Sequence, residues 1–184
     1  MTAFTLLVLL ILTVFVLFWQ GSLLIATIAG SPIVYASPKA IRDCWKLAGL
    51  LPGQTVFDLG CGNARSLILA SAEFGAKGVG VDRSYYGYWR AKINVWLVGR
   101  SKNIKIVRGD FSQVERQLAT ADVVYLYLLN ETLAQIESWL FQHIGEKTVV
   151  VSLAFSFPNH QPTKTSETTN LGRKTTIRLY RLEA

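Results

Sequence analysis

The 184-residue sequence predicts an α/β protein: a mostly parallel sheet that finishes in an antiparallel hairpin, preceded by a membrane-spanning helix. Three observations carry that expectation. Beyond residue 52, stretches rich in Val, Ile, Leu and aromatics alternate with helical stretches, the pattern of a parallel sheet with helical crossovers. Residues 55–65, Thr-Val-Phe-Asp-Leu-Gly-Cys-Gly-Asn-Ala-Arg, read as a buried strand that ends in an acid, passes two glycines one residue apart and opens a helix. Residues 1–38 carry no charged side chain.

Taken in order, Phe4 to Ile28 is apolar apart from a few Thr, Ser, Gln and Gly positions. At about 1.5 Å per residue such a helix exceeds the ~30 Å hydrocarbon core of a bilayer. A cleaved leader would show a basic start and an apolar core of only about 7–15 residues, and this segment has neither. Lys39, Arg42 and Lys46 follow the span and nothing basic but the α-amino group precedes it, so the globular part is expected to face the cytoplasm. The expected organisation is a single-pass anchor over 1–30 and a catalytic domain over 31–184.

Gly30 to Ala36, with Pro32, reads as a connector. Ser37-Pro38 supplies an N-cap and a proline at the first helical position of a helix that Pro52-Gly53 closes. Strands are expected at 55–59, 77–82, 104–108, 122–128 and 147–155, and helices at 63–74, 84–98, 111–118 and 131–143. The polar alternation of 163–169 and 174–182 around Asn170-Leu-Gly-Arg173 reads as a hairpin. Tyr85, Trp89 and Trp96 recur at helical spacing and are expected to form a core stripe.

The net charge of +7 lies entirely after residue 38. Next to a membrane it fits anionic lipid headgroups, and nucleic acid ranks below lipid because no separate RNA-binding module fits in the remaining length. Cys44 and Cys61 lack CxxC spacing, and with His143 and His160 they make no zinc set, so no metal is expected.

Chemistry is expected where the strands end, since an open parallel sheet keeps its ligand there. The loop Asp58, Gly60, Cys61 and Gly62 already carries a carboxylate, and Arg65 stands where the third glycine of G-x-G-x-x-G would be. A pyrophosphate needs bare N–H groups at a helix N-terminus, whereas a sulfonium and an ammonium tolerate the acid. The expected cofactor is therefore S-adenosyl-L-methionine. Asp82, at the next strand end, is placed for the ribose hydroxyls; Asp110 is placed for the adenine amino group, with Phe111 packed on the base. Tyr127 and Asn130, after the fourth strand, are the candidates for orienting the methyl acceptor, although Tyr125 and Tyr127 would also serve as packing against a helix.

With those residues assembled, the chain from about Ile33 onward resembles the class I methyltransferase family that includes the mitochondrial lysine methyltransferases of the ATP synthase c subunit and of the adenine nucleotide translocator, with their prokaryotic relatives. The stretches that carry the resemblance are Tyr35-Ala-Ser-Pro38, Phe57 to Arg65, Ala121 to Leu129, and Ala154-Phe-Ser-Phe-Pro158. It implies a Rossmann-like class I methyltransferase sheet, a hydrophobic anchor before the catalytic core, and a protein lysine in a membrane protein as acceptor. Asn63 and Ala64 replace the family's acid and glycine, Asp82-Arg83-Ser84 replaces its glutamate, apolar residue and asparagine, and Asn130 stands where it has proline. Two alternatives accompany this expectation: methylation of a membrane-soluble lipid or quinone, and a noncatalytic assembly protein that keeps the fold.

Overall fold

The computed structural model describes the backbone over residues 3–28 and 35–182, with side chains over 3–21 and 35–182. Most of the expected connector, including Pro32, and the boundary between residues 30 and 31 lie outside the described residues.

Helix α1 spans Ala3–Ile28. Its segment Ala3–Gly21 has mean hydropathy 2.5, none of it buried against the rest of the protein, and is long and apolar enough to cross a membrane. Helix α2, Pro38–Ala48, starts as its sequence dictates: the Ser37 hydroxyl accepts a hydrogen bond from the Ala40 N–H at 3.2 Å, and Pro38 occupies the first turn. Gly49, in the left-handed region at φ 68°, ends it. The buried face of α2 centres on Ile41, Cys44 and Trp45, all essentially inaccessible to solvent. Each large apolar side chain so buried contributes about 1.5–3 kcal/mol.

The remaining elements alternate: β1 Thr55–Leu59, α3 Arg65–Phe74, β2 Lys77–Asp82, α4 Tyr85–Leu97, β3 Ile104–Arg108, a short 3-10 turn Phe111–Val114 running into α5 Glu115–Leu118, β4 Val123–Leu126, α6 Asn130–His143, β5 Val149–Leu153, β6 Lys164–Asn170 and β7 Arg173–Tyr180. One seven-stranded sheet results, in the order β3-β2-β1-β4-β5-β7-β6. The first five strands are parallel, and β7 pairs antiparallel with both β5 and β6. Alternation along β4 sends Val123 and Tyr125 into one apolar cluster with α2 and α3, and Val124 and Leu126 into the other with α5 and α6. The sheet is thus covered on both faces, as a parallel sheet requires.

Several elements are shorter than expected, two of them for a plain local reason. Helix α3 begins at Arg65 rather than at 63, because Ala64 adopts φ 57° and cannot continue a right-handed helix. Ala154, at φ 71°, stops β5 two residues short of 155. Strand β4 is trimmed at both ends; Asp122 before it still bonds both neighbours, its N–H donating to the Thr55 carbonyl and its carbonyl accepting the Val149 N–H, both at 3.0 Å, while its carboxylate accepts the Thr55 N–H at 2.7 Å.

The expected core stripe on α4 is corrected. Gly87, Ala91 and Val95 form its buried face, whereas Tyr85, Trp89 and Trp96 are 45%, 54% and 70% exposed. Both faces of this helix repeat at i, i+4, and the small residues won the core because α4 packs closely on β2 and β3.

Candidate functional site

Strand order puts β1 between β2 and β4, so the chain leaves β1 toward one side and β4 toward the other. The crevice above such a reversal, at the carboxyl ends of the strands, is where open α/β sheets hold ligands. One pocket lies there. Asp58, Gly60, Cys61, Gly62, Asp82, Asp110, Phe111 and Tyr127 all line it. Asn130 does not; it is the exposed first residue of α6, and its Oδ1 accepts the Ser156 N–H at 3.4 Å.

The loop after β1 is shaped by backbone that only small residues adopt easily. Gly60 and Gly62 have φ 87° and 53°. A Cβ on Gly60 would meet Leu128 Cδ2 at 2.9 Å, while one on Gly62 would project into open space. The Ala64 methyl is fully buried in the core cluster and is not part of the pocket lining, whereas Asn63 beside it does line the pocket.

Asp82 organises the loop. Its Oδ2 accepts the Gly62 N–H at 2.8 Å, and its Oδ1 accepts the Ser84 N–H at 2.9 Å and hydroxyl at 3.0 Å. Gly87 makes the approach of α4 possible, because a Cβ there would lie 2.4–2.6 Å from the Asp82 carboxylate. Burial raises the Asp82 pKa, and the hydrogen bonds from Gly62 and Ser84 oppose that rise.

Asp58 is 4% exposed and accepts a hydrogen bond from the Ser66 hydroxyl. Burial, opposed by Ser66 and reinforced by the nearby Asp82 charge, pushes its pKa up to about 7. The same burial, with Asp58 and Asp82 close by, pushes the Cys61 thiol well up, so Cys61 is a neutral packing group and not a nucleophile. Asp110 is exposed and pairs with Arg83 at 3.2 Å; Phe111 stacks on Trp139 with ring centroids 6.3 Å apart.

Aromatic side chains line the same pocket, and Tyr125 stands opposite Asp58 in the β4–β1 register. The Tyr127 oxygen accepts from Asn170 Nδ2 at 3.0 Å, and its ring lies 6.0 Å from that of Phe155. Tyr125 is 3% exposed and its hydroxyl has no hydrogen-bond partner among the described residues. A buried unpaired hydroxyl costs about 1–3 kcal/mol, and this one is closed off from solvent in the core, its ring 5.1 Å from that of Trp45. Tyr35, Arg65, Tyr86 and Arg90 also line the pocket, and Arg90 Nη1 donates to the hydroxyls of Tyr35 and Tyr86 at 3.1 and 2.7 Å. Sequence reasoning missed these residues and Asn170, which it read only as the start of a turn. His160 lies apart from the pocket, stacked on Phe141 at 3.8 Å and bonded to Glu137.

The lining suits a cationic adenosyl ligand better than a dinucleotide. The Gly62 N–H that a pyrophosphate would need is already taken by a carboxylate. Three carboxylates share the cleft with Arg65, Arg83 and Arg90, of which Arg83 is paired with Asp110, so Asp58 and Asp82 are the acids left for a cationic group. A model of the ANTKMT methyltransferase domain matches residues 58–164, more than half of the chain. The chain belongs to the ANTKMT methyltransferase family. A protein-lysine N-methyltransferase of Saccharolobus islandicus (strain REY15A) is 28% identical over 150 residues, covering 81% of this chain and 92% of that protein. Among solved structures, an RNA methyltransferase from Salinibacter ruber in complex with S-adenosyl-L-homocysteine superposes with a TM-score of 0.71 at 27% identity, over 79% of this chain and 92% of that one. A putative O-methyltransferase from Klebsiella pneumoniae, 13% identical, shares the fold at a TM-score of 0.66 over 91% and 90% of the two chains. This ANTKMT-family chain is an S-adenosylmethionine-dependent methyltransferase with a Rossmann-like sheet.

Proposed function

We propose that this ANTKMT-family enzyme is a membrane-anchored protein-lysine methyltransferase, with residues 1–30 as a single-pass anchor and residues 31–184 as the catalytic domain on the cytoplasmic side. One observation carries the reading: the three acidic strand ends and Tyr35, Tyr86, Tyr125 and Tyr127 line a single pocket, whose rim touches the apolar helix through the Trp19–Tyr86 ring contact at 4.3 Å. The lysine acceptor is supported by the Saccharolobus islandicus relative, and the anchor by the length and exposure of α1.

When bound, S-adenosylmethionine supplies a methyl group already activated by the sulfonium charge. Asp58 with the Gly60, Cys61 and Gly62 backbone would hold its amino-acid end, Asp82 the ribose hydroxyls, and Asp110 with Phe111 the adenine. The protein's own part is positioning and control of a proton. Holding two reactants in line contributes up to about 7–11 kcal/mol in favourable cases. The acceptor amine must arrive without its proton, and a mouth walled by Tyr35, Tyr86, Tyr125 and Tyr127 disfavours the ammonium form by desolvation. Tyr127, held by Asn170, is the group that orients the neutral nitrogen. Burial keeps the Tyr125 and Tyr127 phenols protonated at neutral pH.

The test is incubation of the full chain, in membranes from cells that lack it, with isotopically labelled cofactor, followed by amino-acid analysis. Methyllysine that disappears with Asp58→Asn is the expected result. Label in lipid or quinone would reassign the acceptor to a membrane-soluble small molecule, and label in RNA would reassign it to nucleic acid.

A further inference from the structure

The surface of α4 asks for an occupant. Of the nine exposed large hydrophobic residues described outside α1, six lie between Tyr85 and Val98. Tyr85, Trp89, Ile93 and Trp96 are spaced i, i+4, i+8 and i+11, so they share one face of the helix, opposite Gly87, Ala91 and Val95 in the core. A monomeric soluble protein rarely leaves a contiguous patch of this kind in water. The charge around it is as one-sided as its apolarity. From Arg83 to Arg108 there are seven Lys and Arg and no Asp or Glu, a surplus equal to the +7 of the whole chain.

Two contacts tie the first turn of α4 to the apolar helix, one of them on this face. Phe18 approaches Tyr85 with ring centroids 6.0 Å apart, and Trp19 approaches Tyr86 at 4.3 Å. The apolar window of α1 ends at Gly21, two residues beyond Trp19. Nineteen helical residues measure about 28 Å, close to one hydrocarbon thickness. If that window spans the bilayer, Trp19 and the first turn of α4 lie at the level of the headgroups, where Trp and Tyr partition preferentially.

We infer that the outer face of α4 lies in the lipid interface as a second membrane contact, with Trp89, Ile93 and Trp96 inserted among anionic headgroups and the flanking cations paired to them. The inference rests on the anchoring proposed above and deepens it. Lys92, whose ammonium lies 5.6 Å from the Trp89 ring centroid, shows the arrangement such a face needs: an aromatic body with a cation beside it that reaches headgroup phosphate. The consequence is orientation. Tyr86, Gly87 and Arg90 of the same helix line the methyltransferase pocket, so a helix lying flat on the membrane sets the pocket mouth beside the bilayer, open to acceptor groups that emerge from it.

Site-directed spin labelling of the full chain in lipid nanodiscs tests this. Cys44 and Cys61 are both buried, so single cysteines at exposed positions take the label selectively. Labels are placed at Leu12→Cys in α1, Ile93→Cys in α4 and Leu171→Cys in the β6–β7 turn, and their collisions with oxygen and with a water-soluble nickel chelate are compared. With phosphatidylglycerol present, the label at 93 should collide with nickel severalfold less than the label at 171, and Trp89→Glu with Trp96→Glu should restore those collisions. A hydrocarbon-like label at 12 with a water-like label at 93 overturns the inference and leaves the anchor standing. A water-like label at 12 overturns the anchor itself. Shielding at 93 that tracks protein concentration and not anionic lipid assigns the face to a second copy, and also overturns the inference.

Discussion

The Asn170 side chain donates to the Tyr127 oxygen at 3.0 Å while its own Oδ1 accepts the Ser37 N–H at 2.7 Å. One residue of the terminal hairpin thereby joins the entry to α2, the end of β4 and the aromatic wall of the pocket. Replacing Asn170, which is buried, by Ala leaves the Ser37 N–H unsatisfied and should cost about 1–3 kcal/mol of stability. It should also lower turnover with little change in cofactor affinity, since the lost contact is at the acceptor end. Thermal unfolding and calorimetric titration separate the two effects.

Asp82→Ala removes the acceptor for three hydrogen bonds, from the Gly62 N–H and from the N–H and hydroxyl of Ser84. Hydrogen bonds to a charged group contribute about 1.5–3 kcal/mol each, so cofactor affinity should fall by at least about tenfold. Calorimetry with S-adenosylmethionine measures it, and an unchanged dissociation constant would exclude Asp82 from the cofactor's ribose.

Gly87→Ala sets two effects against each other. Alanine is the better helix former by about 1 kcal/mol. Here its methyl would sit 2.4–2.6 Å from the Asp82 carboxylate, and such overpacking costs about 1–3 kcal/mol. The steric term should win: the variant should unfold at lower temperature and bind cofactor more weakly.

Asp58 makes the enzyme pH-dependent. Its folded pKa of about 7 lies above its ordinary value of 3.8, so the folded form retains a proton that the unfolded chain releases. Stability of the cofactor-free protein should therefore be highest below pH 4 for this group and decline as pH rises toward 7. Affinity for the cationic cofactor runs the other way, falling about tenfold per pH unit below 7 while the free carboxyl is protonated, until the pKa of the bound state is reached. Binding near pH 6 should release a proton, visible as a buffer-dependent heat that Asp58→Asn abolishes.

Glu137 is the counterexample among buried acids. Burial alone would raise its pKa, yet hydrogen bonds from His160 and Asn159 bring it below the ordinary 4.5. Its contribution is present above pH 4.5 and is lost as pH falls below that value. Glu137→Ala frees the segment around Asn159 and His160 and should cost about 3 kcal/mol. Acid unfolding of variant and parent should converge at low pH.

Much of this protein was legible in one dimension because its signals are local. The strand at 55–59, the two glycines after it, the Ser37-Pro38 start and the final hairpin all follow from backbone preferences that a few neighbouring residues set. Asp58, Asp82 and Asp110 line one pocket, as expected, because parallel strands place successive strand ends on one edge. The α4 stripe was misread because periodicity identifies two opposite faces of a helix without saying which is buried. Trp89 and Trp96 are as apolar as any core residue, but the sheet admits only the small face of Gly87, Ala91 and Val95.

Sequence alone determined the order of strands and helices, the acid-and-glycine loop and the charge-free helix, each a matter of neighbours along the chain. Only tertiary structure decided that Asn170 supports Tyr127 across 43 residues, that the Tyr125 hydroxyl has no hydrogen-bond partner among the described residues, and that α4 turns Tyr85, Trp89 and Trp96 outward beside Phe18. Those outcomes depend on which surfaces meet when the sheet closes, and close packing between distant segments leaves no trace in local spacing.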